Sequence, residues 1–200
     1  FSQVWPVNYN CPGQLVVAGE KEGLSRFCAR VAEAGGKAVP LAVSGGFHSP
    51  FMESAAKELA EALAETAVEE PRLPVYANFH GEPYDADSAR ELLVKQVKSP
   101  VRWQETLEAL AARGTDTFIE CGPGKTLSGL VKKTLKDVTI LRVEDAETLQ
   151  AAVNAFKAMV SGIGSALSSL GSVVQSGFQS AISFITSLPG KALQWGKDFI

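Results

Sequence analysis

Apolar residues along this 200-residue chain recur at two spacings, and the two alternate. Gln3 to Pro6 is strand-like, and Gln14-Leu15-Val16-Val17-Ala18-Gly19 is a β-rich run closed by glycine. The stretch from Val4 to Gln14 reads as two strands joined by a polar turn. From about Glu20 to Ala34 the apolar positions Leu24, Phe27, Cys28 and Val31 fall three or four apart. That is the period of a helix with one buried face. Gly35-Gly36 stops the helix, and Lys37 to Val43 predicts the next strand. A second helix is predicted from about Pro50 to Ala67, with Met52, Ala55, Leu59, Leu63 and Ala67 on one face. Proline suits a first helical turn, where an N–H would have no intrahelical partner.

The alternation continues downstream. Leu73 to Ala77 predicts a strand, and Asp87 to Val97 a helix with Asp87-Ser88 as candidate cap. Another helix is predicted from Trp103 to Ala112, after Pro100. Thr117 to Glu120 is strand-like and runs into Cys121-Gly122-Pro123-Gly124-Lys125. A helix from Thr126 to Leu135, a strand from Val138 to Val143 and a helix from Glu147 to Lys157 follow. Strands alternating with helices predict an α/β fold with mostly parallel pairing.

Composition narrows the function classes. Hydrophobic residues make up 46%, enough for a core, and the net charge is −3. There is no basic excess to attract nucleic acid. Cys11, Cys28 and Cys121 match no zinc or disulfide framework, so no metal is expected, and the setting is expected to be reducing and cytoplasmic. The start at Phe1 lacks a charged region and a long apolar stretch of the secretory kind, and the end at Phe199-Ile200 lies inside an apolar run. Both features read as a fragment. Composition shifts near Ala158, since no charged residue occurs from Gly162 to Leu188, and a boundary is expected at 157–162.

The candidate chemistry centres on Val43-Ser44-Gly45-Gly46-Phe47-His48-Ser49-Pro50-Phe51-Met52. Imidazole is the side chain suited to proton transfer near neutrality. Two glycines before His48 let the backbone turn closely and project the ring into a crevice. The carboxyl ends of strands are where open α/β sheets bind ligands. His80 has no such setting and reads as an exposed loop residue. Gly122-Pro123-Gly124-Lys125-Thr126 supplies the end of a phosphate loop, but the position five before Gly124 is Ile119 instead of glycine. A tight strand-to-helix turn is the favoured reading there. Asn8, Asn10 and Gln14 offer amide donors and acceptors in the first turn.

Four segments carry a resemblance: Asn8-Tyr9-Asn10-Cys11-Pro12-Gly13-Gln14, Gly46-Phe47-His48-Ser49-Pro50, Gln96-Val97-Lys98-Ser99-Pro100-Val101-Arg102-Trp103 and Glu120-Cys121-Gly122-Pro123-Gly124-Lys125-Thr126-Leu127. In this order and spacing they resemble the C-terminal half of the bacterial malonyl-CoA:acyl carrier protein transacylases, over about residues 1–157. The resemblance implies an acyltransferase (α/β-hydrolase-like) fold with a partial ferredoxin-like small subdomain at 1–44, a C-terminal part of the core at 45–157, and an unrelated tail at 158–200. It implies that His48 is the catalytic base and that the main-chain carbonyl of Gln96 orients its ring. It implies that Phe47 favours malonyl over methylmalonyl by leaving little room for an α-methyl branch. Asn10 and Gln14 would then contact the pantetheine or the carrier protein. The partners implied are a coenzyme A thioester and acyl carrier protein, with no cofactor.

The chain also departs from that pattern. It contains no G-x-S-x-G, no Pro-Gly-Gln-Gly-Ser-Gln segment for the oxyanion hole, and no arginine matching the one that clamps the malonyl carboxylate. Without a nucleophile the chain alone is expected to be inactive, with exposed strand edges and marginal stability.

In the tail, Ile163, Leu167, Leu170, Val174, Phe178, Ile182 and Ile185 form one apolar helical stripe. Eight serines among residues 162–188 make it a poor membrane span, so an amphipathic helix is expected. Gly162-Ile163-Gly164-Ser165 and residues 187–198 resemble phage tail tape-measure proteins. A structural or interaction protein acting through this tail is the alternative to an acyltransferase fragment.

Overall fold

The computed structural model describes residues 3–161 together with Ser176 and Ser180. These residues divide into two compact units. The first holds the chain up to Thr115 together with Leu130–Lys136; the second holds Asp116–Gly129 and the residues from Asp137 onward.

In the first unit β1 (Val4–Cys11) and β2 (Gln14–Gly19) form an antiparallel hairpin. Its turn is Pro12-Gly13, and Gly13 takes φ +77°, a left-handed conformation that glycine adopts without a Cβ penalty. The register shifts between Pro6 and Asn8, around the buried Val7. On the other side of β1 the Val101 amide donates to the Val7 carbonyl and the Tyr9 amide to the Val101 carbonyl, both at 2.9 Å. This clips the loop between two later helices to the hairpin.

Helix α1 (Lys21–Glu33) follows the hairpin. A single 3-10 turn, Pro50–Met52, leads into α2 (Glu53–Ala64), which packs on α3 (Ala86–Val97). Arg90 of α3 donates to the Leu63 and Thr66 carbonyls at the end of α2, at 3.0 and 2.7 Å. At the opposite end Lys98 pairs with Glu53 at 2.8 Å. The Leu63 carbonyl, in the last turn of α2, also accepts the Thr66 amide at 3.2 Å, so the arginine adds to the bonds that close the helix end. Helix α4 (Trp103–Ala112) lies against β1. Val7, Cys11, Ala56, Ala77, Ala89, Leu92, Val101 and Leu107, with Leu130 and Val131, are the buried apolar residues described here.

In the second unit β3 (Thr117–Cys121) pairs in parallel with β4 (Thr139–Val143), Ile119 opposite Leu141. Helix α5 (Thr126–Thr134) begins in this unit. Helix α6 (Ala146–Ser161) closes it, packing Leu149 and Ala152 against Val143, Ile119 and Leu141.

Several sequence expectations are corrected. Lys37 to Val43 joins no strand ladder among the described residues, and Val39, Leu41 and Val43 are 58–65% exposed. A β-prone run becomes a strand only when a partner satisfies its amides and carbonyls. Leu73 to Ala77 contributes only the bridge Tyr76–Pro83, and Leu73 is exposed. Among the described residues pairing is antiparallel in one two-stranded sheet and parallel in the other, so it is not mostly parallel there. The second helix stops at Ala64 instead of Ala67. Asp85, not Asp87-Ser88, caps α3: its backbone is extended, its carboxylate accepts the Ser88 amide, and the Ser88 side chain returns to the Asp85 amide. Helix α6 runs through Ser161 instead of ending at Lys157. Apart from Ser176 and Ser180, the expected tail helix and its apolar stripe lie outside the described residues. Among the described residues no helix is long and apolar enough to cross a membrane.

Candidate active site

The corner that carries His48 is fixed by its neighbours. The Ser49 side chain is fully buried, and its hydroxyl donates to the Gly46 carbonyl at 2.5 Å. The same oxygen accepts the Phe51 amide at 3.3 Å, capping the turn that Pro50 begins. A Cβ on Gly46 would lie 2.6 Å from Phe51 Cδ2 and 3.2 Å from Ser49 Oγ, so glycine is required for this closeness. The Phe51 ring meets Trp5 of β1 edge-on, with centroids 5.1 Å apart.

His48 itself has φ +59°, in the left-handed region. Histidine is among the residue types found there more often than average. Its Nδ1 lies 3.0 Å from the main-chain oxygen of Gln96 in the last turn of α3. That carbonyl is available for two reasons. Carbonyls in a last helical turn lack intrahelical donors, and the residue four positions on is Pro100, which has no N–H. A carbonyl oxygen can only accept, so Nδ1 carries a hydrogen, and in the neutral ring Nε2 presents a lone pair. The arrangement is that of a base whose ring is oriented by a third group.

The other sequence candidates are placed less closely. Phe47 is 41% exposed, its ring next to Gly45. Asn10 is half-buried on β1. Gln14 opens β2, and its side-chain oxygen accepts from Lys133 Nζ at 3.3 Å and from the Cys11 thiol at 3.6 Å. Neither Asn10 nor Gln14 makes a hydrogen bond to His48. His80 is half-buried, and its Nδ1 accepts the Glu82 amide at 3.0 Å, so it serves its own turn.

In the second unit the glycine-rich segment after β3 is a turn whose donors are already taken. Glu120 accepts the Leu127 and Ser128 amides at the start of α5, at 3.0 and 2.8 Å. Glu144 accepts the Gly124 amide at 2.9 Å. A phosphate there would meet carboxylates on the amides it needs. Partial burial raises the Glu120 pKa, but the Ser128 side chain and amide, the Leu127 amide and the Arg142 charge outweigh it and hold it below the ordinary value. The three cysteines are free, and no cluster of three metal-ligating side chains occurs among the described residues.

Sequence reasoning missed Asn78, whose amide meets the Gln96 side chain at 3.1 Å. It also missed the role of Ser49, although a serine directly before a helix-starting proline is a readable cap signal.

The sequence model of the acyl transferase domain matches residues 1–161. The chain belongs to this family. Malonyl CoA-acyl carrier protein transacylase of Bacillus subtilis is 41% identical over 152 residues, covering 75% of this chain and 48% of the relative. The enzyme of that name from Escherichia coli K12 is 39% identical, covering 75% and 49%. The crystal structure of the Clostridium perfringens transacylase superposes with a TM-score of 0.75 at 41% identity, over 78% of this chain and 50% of that one. A malonyl-transacylase solved in complex with its type II PKS acyl-carrier protein gives 0.72 at 39%, over 75% and 50%. The chain thus spans about half the length of the relatives it matches, and over that half it has the α/β fold of transacylase structures. The family match ends at residue 161, and nothing in these matches supports the tape-measure reading of the tail.

Proposed function

We propose that this chain is the base-carrying part of a malonyl-CoA:acyl carrier protein transacylase of fatty-acid synthesis. The hydrogen bond between His48 Nδ1 and the Gln96 carbonyl carries the reading, because it leaves Nε2 free to take a proton. A serine hydroxyl gives its proton to Nε2 while its oxygen attacks the malonyl thioester carbonyl. The C–S bond breaks, and the coenzyme A sulfur leaves with the proton from the imidazolium. The carrier protein's phosphopantetheine thiol then repeats the exchange on the serine ester, giving its proton to His48 and releasing the serine hydroxyl. The 200 residues contain no G-x-S-x-G, so that serine belongs to another stretch of polypeptide.

In this reading Phe47 closes the acyl pocket to an α-methyl branch, and Asn10 and Gln14 contact the pantetheine or the carrier protein. Residues 1–44 form part of a ferredoxin-like small subdomain and 45–157 part of the acyltransferase core. No cofactor takes part. The three free cysteines fit a cytoplasmic protein.

Malonyl transfer to acyl carrier protein is the test. The chain alone should stay at background. Joined to the serine-bearing portion of a relative such as the Bacillus subtilis enzyme, it should turn over, and His48→Ala should lower kcat about 10²–10⁴-fold. Turnover by the chain alone, or an unchanged kcat in the joined His48→Ala enzyme, overturns the proposal.

A further inference from the structure

The carbonyl that orients His48 sits where helices are least constrained. Gln96 is the next-to-last residue of α3, and its oxygen receives no hydrogen bond from four residues on because Pro100 stands there. Last turns fray, and a tilting peptide plane would carry the carbonyl off the imidazole. Something other than the helix ladder must hold it.

The Gln96 side chain is placed to do this. Its Oε1 accepts the Asn78 amide at 3.1 Å, while the Asn78 carbonyl accepts the Arg102 amide at 2.9 Å. Arg102 is the N-cap residue of α4. The loop around Asn78 is itself well tied. The Ala77 amide donates to the Glu82 carbonyl and the Gly81 amide to the Ala77 carbonyl, at 3.0 and 2.9 Å. Ala77 is buried, and a Cβ on Gly81 would lie 3.3 Å from Thr106 Oγ1 on α4. Next to Asn78, the Phe79 ring lies 5.6 Å from the Lys95 ammonium, one residue before Gln96. The loop from Ala77 to Glu82 therefore forms a bracket resting on α4 and gripping the end of α3.

We infer that the Gln96 side chain is a positioning residue: by accepting the Asn78 amide it holds its own main-chain carbonyl at the angle that keeps the hydrogen of His48 on Nδ1. This deepens the assignment of His48 as base and adds to it a side chain that never touches the ring. A neutral histidine side chain in water favours the hydrogen on Nε2, so the Nδ1–H form needs such support.

The test reads the tautomer directly, by long-range ¹H–¹⁵N correlation of the His48 ring in the full chain. In the unmodified protein Nδ1–H should dominate the neutral ring. Gln96→Met keeps the backbone carbonyl and the side-chain length but loses the acceptor. It should raise the ratio of Nε2–H to Nδ1–H by about five- to tenfold, the scale of one lost hydrogen bond. Gln96→Glu keeps an acceptor oxygen and should restore the original ratio. An unchanged ratio in a folded Gln96→Met protein overturns the inference, as does failure of Gln96→Glu to restore it. Should Gln96→Met not fold, hydrogen exchange in the unmodified chain decides: a slowly exchanging Asn78 amide supports the bracket, and an unprotected one sinks it. None of these measurements uses malonyl transfer, so a failure of the catalytic reading would be seen separately.

Discussion

His48 reaches the Gln96 carbonyl, 48 positions away in sequence, from a left-handed backbone conformation. Position and chemistry at this residue are therefore separable by substitution. Asparagine tolerates φ near +60°, whereas a β-branched side chain there is a steric outlier. We expect His48→Asn to keep the Tm of the parent and His48→Val to lower stability by about 1–2 kcal/mol. Both should abolish turnover in the joined enzyme. Equal Tm values for the two variants would mean that the corner relaxes without cost.

Gly46→Ala should damage the same corner from the other side. Its Cβ has no room beside Phe51 and Ser49, so the Phe51 ring must leave its contact with Trp5. The expected readouts are a lowered Tm and a changed near-ultraviolet circular dichroism signal from the tryptophans. An unaltered spectrum would show that the ring can shift within its present packing.

The core offers a plainer check. Leu107, on α4, is 1% exposed and the largest fully buried side chain among the described residues. Leu107→Ala should cost about 2–5 kcal/mol by denaturant titration. A loss below about 1 kcal/mol would mean that α4 collapses onto the space left behind.

Acid stability follows from the helix caps. The Ser88 amide and hydroxyl hold the Asp85 carboxyl below its ordinary value, and the Thr148 amide and hydroxyl do the same for Asp145 at the start of α6. Their folded pKa values lie below the unfolded ones, so the unfolded chain binds more protons between the two. The stability they contribute is complete above about pH 5 and is lost as pH falls below about 4. The double variant Asp85→Asn, Asp145→Asn keeps the capping oxygens without the charge and should flatten that acid limb. An acid limb as steep as the parent's would place the titrating groups elsewhere.

Phe47 is expected to govern acyl choice. In the joined enzyme Phe47→Ser should raise the ratio of methylmalonyl to malonyl transfer by about 10-fold or more, the scale of steric discrimination by a pocket wall. No change in the ratio would reduce Phe47 to a packing residue of the turn.

Local periodicity carried most of the helices. The spacing within Trp103–Ala112 marks that helix to the residue, because its signal is contained in ten positions. Lys37–Val43 was misleading for the opposite reason: β character is local, but the ladder that makes a strand is not. At α3 the sequence pointed to Asp87-Ser88, and the extended backbone at Asp85 places the cap two residues earlier. The tight corner at His48 was legible from its two glycines. The role of the Gln96 carbonyl came from resemblance alone, since a main-chain oxygen has no residue-type signature. Asn78 acts through its backbone amide and left no mark in the sequence.

The exposed run from Val39 to Val43 ends two residues before the glycines that turn the chain toward His48. The histidine is thus anchored from downstream, through Ser49, Phe51 and α3, while its upstream approach joins no strand ladder among the described residues, its Val43 amide donating to the Leu41 carbonyl of the same run at 3.0 Å. Any strand that pairs with this run would restrict the same few dihedrals that aim the imidazole. Docking at residues 39–43 and order at residue 48 would then be linked equilibria, each strengthening the other by the same factor.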